Sequence, residues 1–270
     1  MPRVLHARWI LPFVVAAAAF ALWQNGRSPH WRTLRPGVEF MTMPGEPYCR
    51  RGSAVVAVLR VDAKRARLHA NHFSRTHPER PLSILEWQKT TGALAVFNAG
   101  QYYPDWGYMG LLVCDGDTVS ALLHAGFRAM LVASDHEAHV IDLEGKEDAV
   151  SGAWSDMAQS FMLFDHEGGL RVRRSGRIAP RTVVAEDGHG RIVVCVSEGA
   201  YTLADFGTLL MRSELGLTQA MSMDGGIESE LVIDTPSFRY ASFGEWPRGH
   251  EPVASGARAP LPAVISVDAP

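Results

Sequence analysis

Cysteine is scarce in this chain, with three in 270 residues. An odd number cannot pair completely within one chain, so no disulfide framework defines the fold. No Cys-x-x-Cys occurs, which removes support for zinc-ribbon or thioredoxin-type chemistry. Cys114 and Cys195 sit inside apolar, strand-like runs, where a buried thiol is expected, and Cys49 lies in a Pro/Gly-rich loop. Charge of one sign is lacking too. The formal net charge is −3 and no polybasic run is present, so nucleic acid is not an expected partner. Arg171, Arg173, Arg174 and Arg177 cluster, but such a run is ordinarily a solvated hairpin face.

Long apolar runs are also few. Trp9 to Trp23 falls short of the ~20 residues that a spanning helix needs. It follows Arg3, His6 and Arg8 and contains Ala19-Phe20-Ala21, the layout of a secretory signal. Residues 1–24 are therefore expected to be a signal peptide or, if uncleaved, an N-terminal anchor. Membrane contact would come only through that segment, with the body extracytoplasmic, periplasmic or secreted. Nothing in the pattern speaks to oligomeric state.

What remains is long enough for a sizeable core. Residues 25–51, rich in Pro, Gly and Arg, read as an extended lead-in, and a domain is expected over 52–243. Ala54 to Val61 reads as a buried strand and Ala66 to Phe73 as its half-buried hairpin partner across Asp62 to Arg65. Pro81 to Gln88 has helical spacing and stops near Gly92. Ala93 to Phe97 is a strand ending at Asn98-Ala99-Gly100. Strand-like runs then recur at Leu111–Cys114, Val119–Leu123, Met130–Ala133, His139–Leu143 and Phe161–Phe164. A hairpin pairs Thr182–Ala185 with Ile192–Val196. A helix capped by Thr202, with Asp205 in the capping-box place and Gly216 as its stop, leads to an apolar run ending in Asp224. Residues 244–270 read as a Pro/Gly-rich tail on the surface. The expected class is α+β: a single domain built on a mixed, mostly antiparallel sheet with a few flanking helices.

The most informative stretch is Met221 to Ser229, where Asp224-Gly225-Gly226 follows a short buried strand. Glycines there let the backbone take positive φ or approach a ligand, and they hold the aspartate in place. Alone, the same residues describe an ordinary tight turn.

Four further segments line up with it: Asn98-Ala99-Gly100 at a strand end, Gly110-Leu111, Gln159-Ser160 and Arg181-Thr182. In this order and spacing, from about Ala93 to Ile233, they resemble the phosphodiester glycosidase family, particularly its short bacterial branch of exported proteins. The chain departs from that branch at Gln159-Ser160-Phe161, where Ser-Gly-Pro is usual. It departs again at Val184-Ala185, and at Glu228, where a small residue is common.

The resemblance implies hydrolysis of a sugar-1-phosphodiester at the anomeric carbon, with a carbohydrate or sugar-phosphate as partner. Phosphate leaves readily, so the reaction needs chiefly a cation to hold it and a carboxylate to activate water or stabilise oxocarbenium charge. Arg181 is the expected phosphate holder, since guanidinium donates paired hydrogen bonds. Asp224 is the first carboxylate and Glu198 the second. Asn98, Gly100, Tyr103, Gln159, Ser160, Thr182, Gly225, Gly226 and Glu228 are the candidate substrate contacts. Tyr102 and Trp106 add aromatic faces that suit sugar rings, although packing is the commoner use of such residues. No cofactor or metal ligand set is predicted. The spacing demands no divalent ion, while leaving room for one between phosphate and Asp224. His136 and His139 match no ligand pattern. Two rivals stand beside this reading. One is a glycan-binding module that kept the fold without the chemistry. The other is a serine hydrolase using Ser160 or Ser229, for which no Gly-x-Ser-x-Gly elbow exists.

Overall fold

The computed structural model describes residues 30–76, 79–145, 154–244 and 258–269. The expectation for residues 1–24 falls outside them. From Arg32 onward the chain is one compact unit. Among the described residues, an eleven-stranded sheet and a five-stranded sheet carry the fold, and every strand pairing is antiparallel.

The large sheet runs from β1 (Arg32–Arg35) through β2 (Val38–Pro44) and β3 (Val55–Val61) to β13 (Ile192–Ser197) and β12 (Thr182–Asp187). It continues through β15 (Leu217–Ser222), β10 (Asp156–Phe164) and β6 (Leu112–Cys114) to β7 (Asp117–Ser120). β8 (Ala129–Ala133) also pairs with β10 and carries β9 (Ala138–Asp142). The small sheet has the order β17 (Phe238–Phe243), β16 (Glu230–Thr235), β5 (Ala95–Asn98), β18 (Ala263–Asp268), β4 (Arg67–His72). A two-stranded ribbon joins β11 (Ile178–Ala179) to β14 (Tyr201–Thr202).

Alternation along the strands builds the interior. Leu59, Val184, Val194 and Met221 of the large sheet pack in one apolar cluster with Leu68, Phe97, Leu231 and Ile265 of the small one. The two sheets therefore face each other across a shared core. On the other face of the small sheet lies helix α1 (Ile84–Thr91), where Ile84 and Trp87 meet Val96, Val232 and Val264. Its start is a capping box of Ser83 and Glu86, and Gly92 closes it in the left-handed region. Helix α2 (Leu203–Arg212) lies on the outer face of the large sheet, with Gly207 close against Leu163 of β10.

The class is mostly β rather than balanced α+β, with two α-helices among the described residues. Short apolar runs cut by Asp/Gly turns outnumber the segments of helical period, so sheet wins. β3 and β4 do not form a hairpin. β3 is buried along nearly its whole length and needs neighbours on both edges, which β2 and β13 supply. The turn at 62–65 instead carries the chain across to the other sheet. The expected lead-in contains β1 and β2, turned at Gly37 with φ +84°. The expected tail contains β18, which pairs with both β5 and β4. Ala263 to Val267 are all buried, a requirement of a central strand that the Pro/Gly composition around them hides. Thr202 caps helix α2 as expected, accepting the Asp205 N–H, but the helix ends at Arg212. Gly216 serves the turn into β15 instead. All three cysteines are free thiols. Burial pushes Cys114 and Cys195 up to about 12, so both are inert.

Candidate active site

The two sheets are tied at one end by a buried polar knot. Asn98, the last residue of β5, donates from Nδ2 to the carbonyls of Asp224 (2.9 Å) and Ala99 (3.1 Å). Its Oδ1 accepts from Thr182 Oγ1 (2.7 Å) and from the Glu230 N–H (3.1 Å). The Thr182 proton is thereby committed, so Ser229, 2.9 Å away, is the donor in that hydroxyl pair. Asn98, Thr182 and Ser229 are at most 1% exposed. Every hydrogen-bonding position of Asn98 is filled by the protein. Asn98 and Thr182 thereby hold the loop that carries Asp224.

That loop is built closely against the start of β12. The Asp224 N–H reaches the Ala99 carbonyl at 3.1 Å, and Gly226 N–H reaches the Pro180 carbonyl at 3.0 Å. Asp224 Oδ1 accepts from the Gly225 N–H at 2.9 Å. A Cβ on Gly225 would come 2.8 Å from the Pro180 oxygen and 3.5 Å from Arg181 Nη1. Glycine is needed there because backbone and guanidinium pass so near. Gly226 adopts φ +99°.

Arg181 extends beneath this loop. Its Nε donates to the Tyr201 carbonyl (3.1 Å) and its Nη2 to the Arg177 carbonyl (3.0 Å). Its own N–H is held by Ser197 Oγ at 2.8 Å. Burial lowers the guanidinium to about 10, Arg177 adds to that, and Asp224 counters it. The group stays cationic at neutral pH, half-dry, with a carboxylate beside it.

The other candidates separate. Glu198 Oε1 accepts from the Tyr240 hydroxyl of β17 at 3.4 Å, and Ser197, the residue before it, braces Arg181. Glu228 is half-buried over Gly226, where a Cβ would meet its Oε2 at 3.2 Å, and Oε1 accepts from Tyr102 at 3.2 Å. Tyr102 packs against Trp106 with ring centroids 5.5 Å apart, while Tyr103 is exposed. Gly100 is buried, its N–H on the Tyr108 hydroxyl (3.1 Å), which donates to the Gln159 carbonyl (2.9 Å). A Cβ on Gly100 would fall 2.4 Å from that hydroxyl, so the glycine is required by packing.

Gln159 is buried. Its Oε1 accepts from Leu111 and His124, and its Nε2 donates to the carbonyls of His124 and Phe127. The amide clamps a loop. Ser160 donates to the Ser222 carbonyl at 2.5 Å and is fully buried. Neither Ser160 nor Ser229 is joined to a base, which leaves the serine-hydrolase rival without a nucleophile. Among the described residues no three His, Cys, Asp or Glu side chains gather around a metal position. Ser197 and Tyr108 carry no sequence signal as parts of the site, whereas Ser229 ends the Met221–Ser229 stretch.

The site is thus a sheet pair closed by a buried Asn-Thr-Ser knot, with an arginine under an Asp-Gly-Gly loop. The sequence matches the phosphodiester glycosidase family over residues 91–267, and the chain belongs to that family. Among solved structures it is similar to the zebrafish N-acetylglucosamine-1-phosphodiester alpha-N-acetylglucosaminidase catalytic domain, auto-inhibited by its pro-peptide. The identity is 16%, the TM-score 0.62, and the match covers 88% of this chain and 86% of that one. It is also similar to a hypothetical protein from Synechocystis, at 12% identity and TM-score 0.66, covering 90% of this chain and 64% of that one. No curated protein matches the sequence.

Proposed function

We propose that the protein hydrolyses glycosyl phosphodiesters, cleaving between the anomeric carbon and the phosphate, in envelope or extracellular glycans. The observation that carries this reading is the position of Arg181 beneath the loop that carries Asp224, a loop fixed from both sheets. Family membership supports hydrolysis as the class of reaction.

In this reading Arg181 receives the phosphate. Two of its N–H groups are fixed on backbone carbonyls, so the guanidinium is aimed before substrate arrives and little ordering is needed on binding. Phosphate departs as a stable anion, held by that cation. Asp224 stabilises positive charge developing at the anomeric carbon or takes the proton from water. Glu228 replaces Glu198 as the second carboxylate. It lies over Gly226 and is oriented by Tyr102, whereas Glu198 is engaged with Tyr240.

The test is release of reducing sugar from a sugar-1-phosphodiester by purified protein. Asp224→Asn lowers turnover by about 10²–10⁴-fold, the range of a lost acid–base group, without a change in melting temperature. Binding of sugar phosphates with no turnover by the wild type would favour a glycan-binding module instead.

A further inference from the structure

The outer face of the large sheet carries an apolar shelf one step from Arg181, and the reaction does not use it. Seven large apolar side chains are exposed among the described residues, and three of them belong here: Leu122 (52%), Leu123 (39%) and Phe161 (39%). The loop from 121 to 127, Ala-Leu-Leu-His-Ala-Gly-Phe, has no charged residue. Surface loops are normally polar, and an exposed apolar patch usually marks a contact.

This loop is also held in place. The Gln159 side chain makes four hydrogen bonds to it and to Leu111, all between 2.8 and 3.0 Å. A ring series follows, His124 stacked on Phe127 at 4.1 Å and Phe127 against Phe161 at 4.3 Å.

Register fixes where the shelf lies. Phe161 pairs with Ser222, and Ser222 pairs with Val183, forming one row across β10, β15 and β12. Arg181 is two residues from Val183. Side chains two apart on a strand share a face. Leu163, two residues from Phe161, packs on α2, and Arg181 bonds to Tyr201 just before α2, so both point to that outer face. Two strand spacings across and two residues along place Phe161 about 12 Å from Arg181, Cα to Cα.

We infer that the alcohol esterified to the phosphate is apolar, with its phosphate on Arg181 and its hydrocarbon chain along Leu122, Leu123 and Phe161. The inference rests on the phosphodiester reading above. Charge complementarity selects the occupant, since a cation and an apolar strip at this separation match an amphiphile with an anionic head. The substrate class is then a sugar phosphate esterified to a lipid-type alcohol.

The experiment uses diesters that share one sugar and carry methyl, butyl or octyl alcohol. From methyl to octyl, kcat/KM of the wild type rises about tenfold or more, as burial of several methylenes requires. The gain comes through KM. Phe161→Ser and, as a second variant, Leu123→Gln reduce it to less than about threefold. A flat wild-type series overturns the inference. A second measurement keeps it separate from the hydrolase reading: calorimetric binding of octyl phosphate against methyl phosphate, neither of which is a diester. Tighter octyl binding, lost in Phe161→Ser while Arg181→Gln weakens both phosphates, supports the shelf even where no diester is cleaved. Equal binding overturns it. Neutral phospholipid vesicles that bind through Phe161, together with flat ester and phosphate series, would reassign the loop to a membrane surface and also overturn it.

Discussion

The two ends of β12 use the same pair of residue types for opposite ends. At the far end, Asp187 is 3% exposed and accepts from the N–H groups of His189 and Arg191 at 2.9 and 3.0 Å. The Arg191 guanidinium closes on it at 2.7 Å. Burial alone would raise this carboxyl, but Arg191 and the two N–H groups hold it below the usual range. Here arginine and aspartate satisfy each other and finish a turn. At the near end Arg181 bonds to two carbonyls, and its neighbour Asp224 takes the Gly225 N–H. Cation and carboxylate are each anchored on backbone groups. A mutual ion pair finishes a turn, whereas an arginine anchored on carbonyls is aimed in advance at an anion.

That contrast can be tested from either end. The largest effect is expected at Arg181: replacement by Lys loses the fixed fork and lowers kcat/KM on a phosphodiester by about 10²–10³-fold, measured with initial rates. Arg191→Lys leaves kcat/KM within a factor of about two, since no transition-state contact is lost. Equal effects at the two sites would erase the distinction. Asn98→Ala comes next, because it strips partners from Thr182, Asp224 and Glu230 at once. Chemical denaturation should show a loss of about 3 kcal/mol or more, with activity falling as well.

Asp187→Ala costs about 2 kcal/mol at pH 7. The folded pKa of Asp187 is depressed, so its contribution is present above the unfolded value and is lost as pH falls through the folded one. Wild type and variant should therefore converge in melting temperature at low pH. The smallest effect is at Glu230, whose carboxyl burial raises to about 8, opposed by Arg258 and aided by Glu228. Its folded pKa lies above the unfolded one, so folding favours the protonated acid and stability declines as pH rises toward and through 8. Glu230→Gln should melt a few degrees above wild type at pH 9 and level with it at pH 5.

Much of this was legible in the chain. Asp224-Gly225-Gly226, Arg181 and Asn98 stood out because they sit at strand ends in a family order, and in the structure Asn98 and Arg181 lie against the loop that carries Asp224. Their division of labour was not legible. Whether an Asn contacts ligand or backbone depends on partners 84 and 126 positions away, which no local pattern records. The partners of Gln159 were equally illegible, since they lie 32 to 48 residues away along the chain. The pairing of β3 was missed because a short turn suggests a hairpin, while two-sided burial demanded different neighbours. β18 was missed because Pro and Gly around it outweighed six strand residues.

β18 lies between β4 and β5 in the small sheet, and Val264 is the register partner of Asn98. A chain is made from its N-terminus, so Asn98 leaves the ribosome long before the strand that will flank it. Until residues 263–268 emerge, the edge of β5 is open and the knot under Asp224 lacks its neighbour. In the order of synthesis, the strand made after every other described one completes the surroundings of Asn98.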